Sequence, residues 1–127
     1  GARLVHLDAD NARRRAVAAA YDAGLAGSAV RTPVVRDGAT HVYHQYVVRV
    51  ADRQGVRDDL AAAGIGTAVH YPEPVHVQPA YRTRLARPVP LPVTEAISGE
   101  ILSLPMYPQL PVAVAERVAG VLRARCP

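Results

Sequence analysis

The sequence predicts an α+β fold, a small sheet of about three strands with helices packed on it, built as a single domain from residues 1–127. Three observations carry that expectation. Segments with apolar residues at every third or fourth position alternate with short β-branched runs, so helices and strands are interleaved. The clearest strand is followed by a short amphipathic helix and a further strand, a crossover unit expected to be right-handed, with the helix covering one face of the sheet. A length of 127 residues suffices for one core but not for two domains.

The first helix is expected between Asp8 and Gly27, where Val17, Tyr21 and Leu25 recur every four positions beside Ala12, Ala16, Ala19, Ala20 and Ala23. Asp8 or Asp10 can cap its start, and Gly24 and Gly27 mark its end. After a turn-rich stretch with Pro33, Asp37 and Gly38, residues 41–50 read as a strand. Its alternation puts Val42, His44, Tyr46, Val48 and Val50 on one face. Asp52 can cap a second helix in which Val56, Leu60 and Ala63 lie one above another, and Gly64 can end it in the left-handed conformation. A strand from about Gly66 to His70 comes next. Pro72, Pro74, Pro79, Pro88, Pro90 and Pro92 then hold residues 71–92 in an extended path, with one helical turn near Gln78 to Arg82. A short helix near Thr94 to Glu100 leads into a third strand, Ile101 to Met106. Pro111 suits the first position of a last helix. There Val114, Val118, Val121 and Leu122 form a stripe, and Arg123 and Arg125 favour the negative end of the helix dipole.

Half of the residues are apolar and 20% are charged, the balance of a folded chain and not of a disordered tail. Phe and Trp are absent, so the core must be made of small aliphatics and a few Tyr rings. No apolar run approaches the roughly 20 residues a membrane span needs, and no membrane association is expected. The start does not resemble a signal peptide and Cys126 has no partner, which makes the cytoplasm the expected compartment. Gly1 in place of Met suggests a piece of something longer. The net charge of +4 comes entirely from arginine on the basic side. Planar guanidinium forks fit an anionic partner such as a nucleic acid or a sugar nucleotide, although a general preference for Arg over Lys is the favoured account of the charge.

The five histidines raise the question of a metal. His41 and His44 would point to opposite faces of a strand, and no cysteine or carboxylate cluster completes a shell, so none is expected. His44 reads as a hydrogen-bonded residue at the edge of the core. Nucleophile-elbow, phosphate-loop and dinucleotide patterns are absent. What stands out is His70-Tyr71-Pro72-Glu73-Pro74-Val75-His76, which sets two imidazoles, a phenol and a carboxylate on a proline-stiffened loop after a strand. Such groups can bind phosphate, carboxylate or sugar hydroxyls with little loss of loop entropy, and they can equally cap backbone groups of an ordinary surface loop.

Four stretches, LDADNARRRAVAAAYDAGL at 7–25, HVYHQYVVRV at 41–50, GIGTAVHYPEPVHVQPAY at 64–81 and ILSLPMYPQLP at 101–111, together resemble the DegT, DnrJ, EryC1 and StrS family of sugar aminotransferases. They fall in that family's order and spacing over nearly the whole chain. The resemblance implies the C-terminal small domain of a fold-type I enzyme dependent on pyridoxal phosphate. The cofactor would be bound mainly by a large domain outside these residues. It also implies a homodimer that moves an amino group, usually from glutamate, to a keto-sugar on a nucleoside diphosphate. Substrate-facing residues implied are His70 and Tyr71, with His76 a further member. Some members of the family have altered chemistry, including dehydratases. Because the chain contains no lysine, it is expected to be inactive alone and to carry no catalytic residue.

Two other functions compete. An Arg-rich nucleic-acid module draws on Arg13, Arg14 and Arg15, but three consecutive helical positions spread over about 200 degrees and make no single stripe. Aromatics that could stack bases are also scarce. The other competitor is a stand-alone, non-catalytic subunit that stabilises a partner.

Overall fold

The computed structural model describes residues 4–82, 84 and 90–127. The part of the expected extended path that includes Pro88 lies outside the described residues. Among the described residues, five α-helices and two strands follow one another in the order α1 (Leu7–Leu25), β1 (Tyr46–Arg49), α2 (Arg53–Ala62), α3 (Pro79–Arg82), α4 (Pro92–Glu100), β2 (Ile101–Leu104) and α5 (Val112–Arg125). Short 3-10 turns at Leu4–His6 and Val75–Val77 precede α1 and α3. The α+β class is therefore as expected.

The sheet is smaller than expected. β1 and β2 pair antiparallel, with Tyr46 opposite Leu104 and Arg49 opposite Ile101. The segment expected to be a strand at 66–70 joins β2 through a single antiparallel bridge, Ala68 to Ser103, and Arg31 bridges Arg49 on the far side of β1. Residues 66–70 thus run parallel to β1 with β2 between them. Gly66 to His70 forms no longer ladder because it bends away at once into the proline-rich loop. At 41–50 only the second half is strand. Tyr43 has φ of 49°, and its N–H donates to His41 Nδ1 at 2.9 Å, so this part turns instead of extending. Tyr46, Val48 and Val50 are buried on one face as the alternation requires, while Val42 and His44 lie outside the strand and are exposed.

Helix α1 buries Val17, Ala18, Tyr21 and Leu25 against α5, which buries Ala115, Val118, Ala119 and Leu122. Val114 is 38% exposed, so the stripe of α5 turns towards its small residues. The reason is the close approach of the two helices: a Cβ on Gly24 would lie 2.6 Å from Ala119 Cβ. Neither Asp8 nor Asp10 caps α1. His6 holds that position without a side-chain bond, and both aspartates sit in the first turn, where they still suit the helix dipole. Pro111 is the N-cap of α5 and not its first residue. Helix α2 matches its local signals: the Asp52 side chain accepts from Gly55 N–H, and Gly64 ends the element at φ 74°.

Two tyrosines replace the missing Phe and Trp in the core. Tyr21 and Tyr46 are fully buried, with ring centroids 4.8 Å apart. Tyr21 Oη donates to the Pro105 carbonyl at 2.8 Å, and Tyr46 Oη donates to Asp22. Burial pushes both phenols above their ordinary pKa, and the bond to Asp22 adds to the rise at Tyr46.

Candidate functional site

β2 is the element that organises the site. Its run Ile101-Leu102-Ser103-Leu104 has one polar member, and Ser103 is buried where β2 meets the bridge at Ala68. From there Ser103 Oγ reaches His70 Nδ1 at 2.9 Å, which fixes the imidazole just beyond the bridge. Tyr71 follows through a cis peptide, its ring edge-on to His70 at 5.7 Å, and is 74% exposed. The expected pair therefore stands side by side at the mouth of the loop.

The two residues nevertheless open onto different hollows. His70 lines a cleft of about 350 Å³ together with His44, Gly66, Thr67, Ser103 and Met106. Tyr71 borders a second hollow of about 400 Å³, between the loop at 73–78 and the face of α4 that carries Thr94 and Ile97.

His76 is placed elsewhere. Its Nε2 lies 2.9 Å from Glu95 Oε1 on α4, the same oxygen that accepts the Leu91 N–H at 3.0 Å. These bonds hold the Glu95 carboxyl below its usual range, with the imidazole as the larger cause. His76 thereby ties the loop to the start of α4 and lines a third hollow with Tyr81 and Leu91.

The sequence alone did not bring His44, Gly66 and Ser103 together with His70 at one cleft. His44 was expected at the edge of the core, but it is exposed and, among the described residues, makes no hydrogen bond. The signal for Ser103 was available, since it is the polar residue in an otherwise apolar strand. No such signal marked His44, because only the turn at Tyr43 carries it out of the strand. Among the described residues no group of three or more His, Cys, Asp or Glu could hold a metal, and no helix is long and apolar enough to cross a membrane.

Comparison with known proteins gives these features a context. A profile of the DegT/DnrJ/EryC1/StrS aminotransferase family matches residues 1–123. The chain is 42% identical, over 122 residues, to a dTDP-3-amino-3,4,6-trideoxy-alpha-D-glucose transaminase of Streptomyces venezuelae, a match covering 95% of this chain and 32% of that protein. It is 38% identical, over 120 residues, to a UDP-2-acetamido-2-deoxy-3-oxo-D-glucuronate aminotransferase of Pseudomonas aeruginosa, covering 94% of this chain and 33% of that protein. The crystal structure of S. venezuelae DesV in complex with a ketimine intermediate superposes with a TM-score of 0.92 at 41% identity, covering 97% of this chain and 33% of that one. The chain thus spans about a third of the length of the relatives it matches.

The family depends on pyridoxal phosphate. Holding that cofactor as a Schiff base needs a side-chain amine, and the 127 residues contain no lysine. Arginine stays protonated at any usable pH and cannot serve as the nucleophile. The residues of this chain therefore supply no side-chain amine for that Schiff base. With the family profile aligned along residues 1–123 and the same fold carried at 41% identity, the chain belongs to the DegT/DnrJ/EryC1/StrS aminotransferase family.

Proposed function

We propose that the chain works as the C-terminal small domain of a nucleotide-sugar aminotransferase, in which an amino group passes from glutamate to a keto-sugar nucleotide during amino-deoxysugar synthesis. The observation that carries the reading is the match along 97% of the chain to S. venezuelae DesV, solved with a ketimine intermediate. The names of the relatives, a dTDP-sugar transaminase and a UDP-sugar aminotransferase, support the substrate class. On this reading the chain lends binding groups to a cleft that closes in a cytoplasmic homodimer. His70 and Tyr71 meet the sugar nucleotide, and His76 contributes from its position on Glu95. The amine that holds the cofactor belongs to the remaining length of the protein, so the chain alone is inactive.

A chimera tests this directly. Residues 1–123 replace the matching third of S. venezuelae DesV, and glutamate-dependent amination of a dTDP-keto-sugar is followed by mass spectrometry. Retained amination supports the reading. A chimera that folds, binds the cofactor and exchanges amino groups with glutamate but leaves the sugar nucleotide untouched argues against it.

A further inference from the structure

We propose that the hollow at the start of α1 is a carboxylate-binding site whose principal residue is Arg14. The site goes beyond the aminotransferase reading and does not depend on it. The run Arg13-Arg14-Arg15 carries the first step. Successive helical positions point about 100 degrees apart, and the structure sorts the three arginines accordingly. Arg13 and Arg14 line a hollow of about 530 Å³ with His6, Asp10 and Gln109, while Arg15 is exposed and does not line it. That volume lies within the range of about 300–1,000 Å³ usual for small-ligand pockets.

Pairing separates the two guanidinium groups. Arg13 Nη1 lies 3.2 Å from Asp10 Oδ1, so those two charges cancel. Arg14 forms no ion pair among the described residues. Its Nη1 donates to Asn11 Oδ1 only at 3.4 Å, and its Nε is buried without a hydrogen-bond partner among the described residues. A buried donor left unfilled is costly, and an anion that accepts from it removes that cost. Because the contact to Asn11 is long, little holds the guanidinium in place, and a turn of the side chain brings the Nε–Nη edge to the ligand.

The surroundings decide the class of anion. With Arg13 and Asp10 cancelling, Arg14 is the unbalanced arginine of the hollow, and one guanidinium matches one carboxylate in a two-point fork. A diphosphate or a nucleic-acid strand brings more charge than it can balance. His6 and Gln109 add polar groups at the rim, and neither side chain makes a hydrogen bond among the described residues. His6 also leaves α1 without a side-chain cap, so the positive end of the helix dipole faces the same anion. Pro108 offers an apolar wall to the body of the group that bears the carboxylate.

The carboxylate can belong to a small molecule or to an Asp or Glu in the remaining length of the protein, and phenylglyoxal labelling read by peptide mass spectrometry separates the two. In the chain, sodium acetate should slow the modification of Arg14 saturably, by about fivefold or more, and leave Arg13 and Arg15 unaffected. Sodium chloride at the same ionic strength should do much less. Labelling of Arg14 in the chain that acetate does not slow overturns the proposal, and inorganic phosphate acting at a lower concentration than acetate overturns the choice of a carboxylate. Once acetate protects the chain, the DesV chimera identifies the source. Slow labelling of Arg14 there without acetate assigns the seat to a carboxylate of the protein itself, and slowing only on addition of acetate assigns it to a small molecule. Arg14→Met, which keeps the stem and removes the guanidinium, should abolish the rise in thermal midpoint that acetate gives the parent chain. An equal rise in both would mean that acetate acts elsewhere and would also sink the proposal. None of these outcomes bears on the aminotransferase reading, which the chimera's activity tests separately.

Discussion

Tyr21 and Tyr46 fill the space that Phe or Trp would otherwise take, and each brings a hydroxyl that must be satisfied inside the core. Because burial raises both phenols, folding favours the protonated form. Below their ordinary value of 10.0, folded and unfolded chains both hold the proton and stability does not change with it. Above that pH the unfolded chain releases the proton first, so stability should fall as pH rises. Tyr46→Phe should melt earlier at neutral pH, by about 1–3 kcal/mol for the lost bond to Asp22, yet lose less on further alkalisation. Thermal midpoints of parent and variant from pH 7 to 11 check this, and parallel curves would contradict it. At the site the expected outcome is the reverse. In the chimera, Tyr71→Phe and His70→Phe should each lower kcat/KM for the sugar nucleotide roughly ten- to a hundredfold, the loss of one positioned polar contact. The midpoint should hold for Tyr71→Phe, whose ring is mostly exposed. An earlier melt with normal kinetics would mark both residues as structural. The composition of the loop was enough to single them out, but nothing in it separated them from His76, whose partner Glu95 lies 19 residues further on.

Among the elements, those defined by neighbours in sequence were legible and those defined by distant partners were not. Asp52 and Gly64 bracket α2 through bonds within a few residues, and α3 and α4 also appear close to where proline and periodicity place them. Gly66 to His70 has strand-like residues, yet its state depends on β2, which offers only the bridge at Ser103. The packing of α1 on α5 is another distant fact. Gly24 looked like a helix end, but α1 runs through it, and its missing side chain admits Ala119. Gly24→Ala should therefore destabilise the fold by about 1–3 kcal/mol through overpacking, although alanine is the better helix former. Adding Ala119→Gly should restore part of the loss. Denaturant midpoints for the two single variants and the double variant measure the coupling, and additive losses would show that the helices do not meet here.

For the whole molecule, the decisive fact is an absence from the sequence: without lysine, no side chain can form the cofactor's Schiff base. Mixing the chain with pyridoxal phosphate and then reducing with borohydride should leave every side chain unlabelled, with the terminal amine the only group open to reaction. A labelled side chain in a peptide map would refute this. The sequence by itself determined the α+β class, the family and the absence of a lysine amine, because residue chemistry and local periodicity need no distant partner. Only the tertiary structure decided that the sheet has two strands among the described residues, that His76 pairs with Glu95, and that His44 shares a cleft with His70. Each of those depends on segments far apart in the chain meeting at β2 or α4, where burial and hydrogen bonding across the fold outweigh what any one segment prefers.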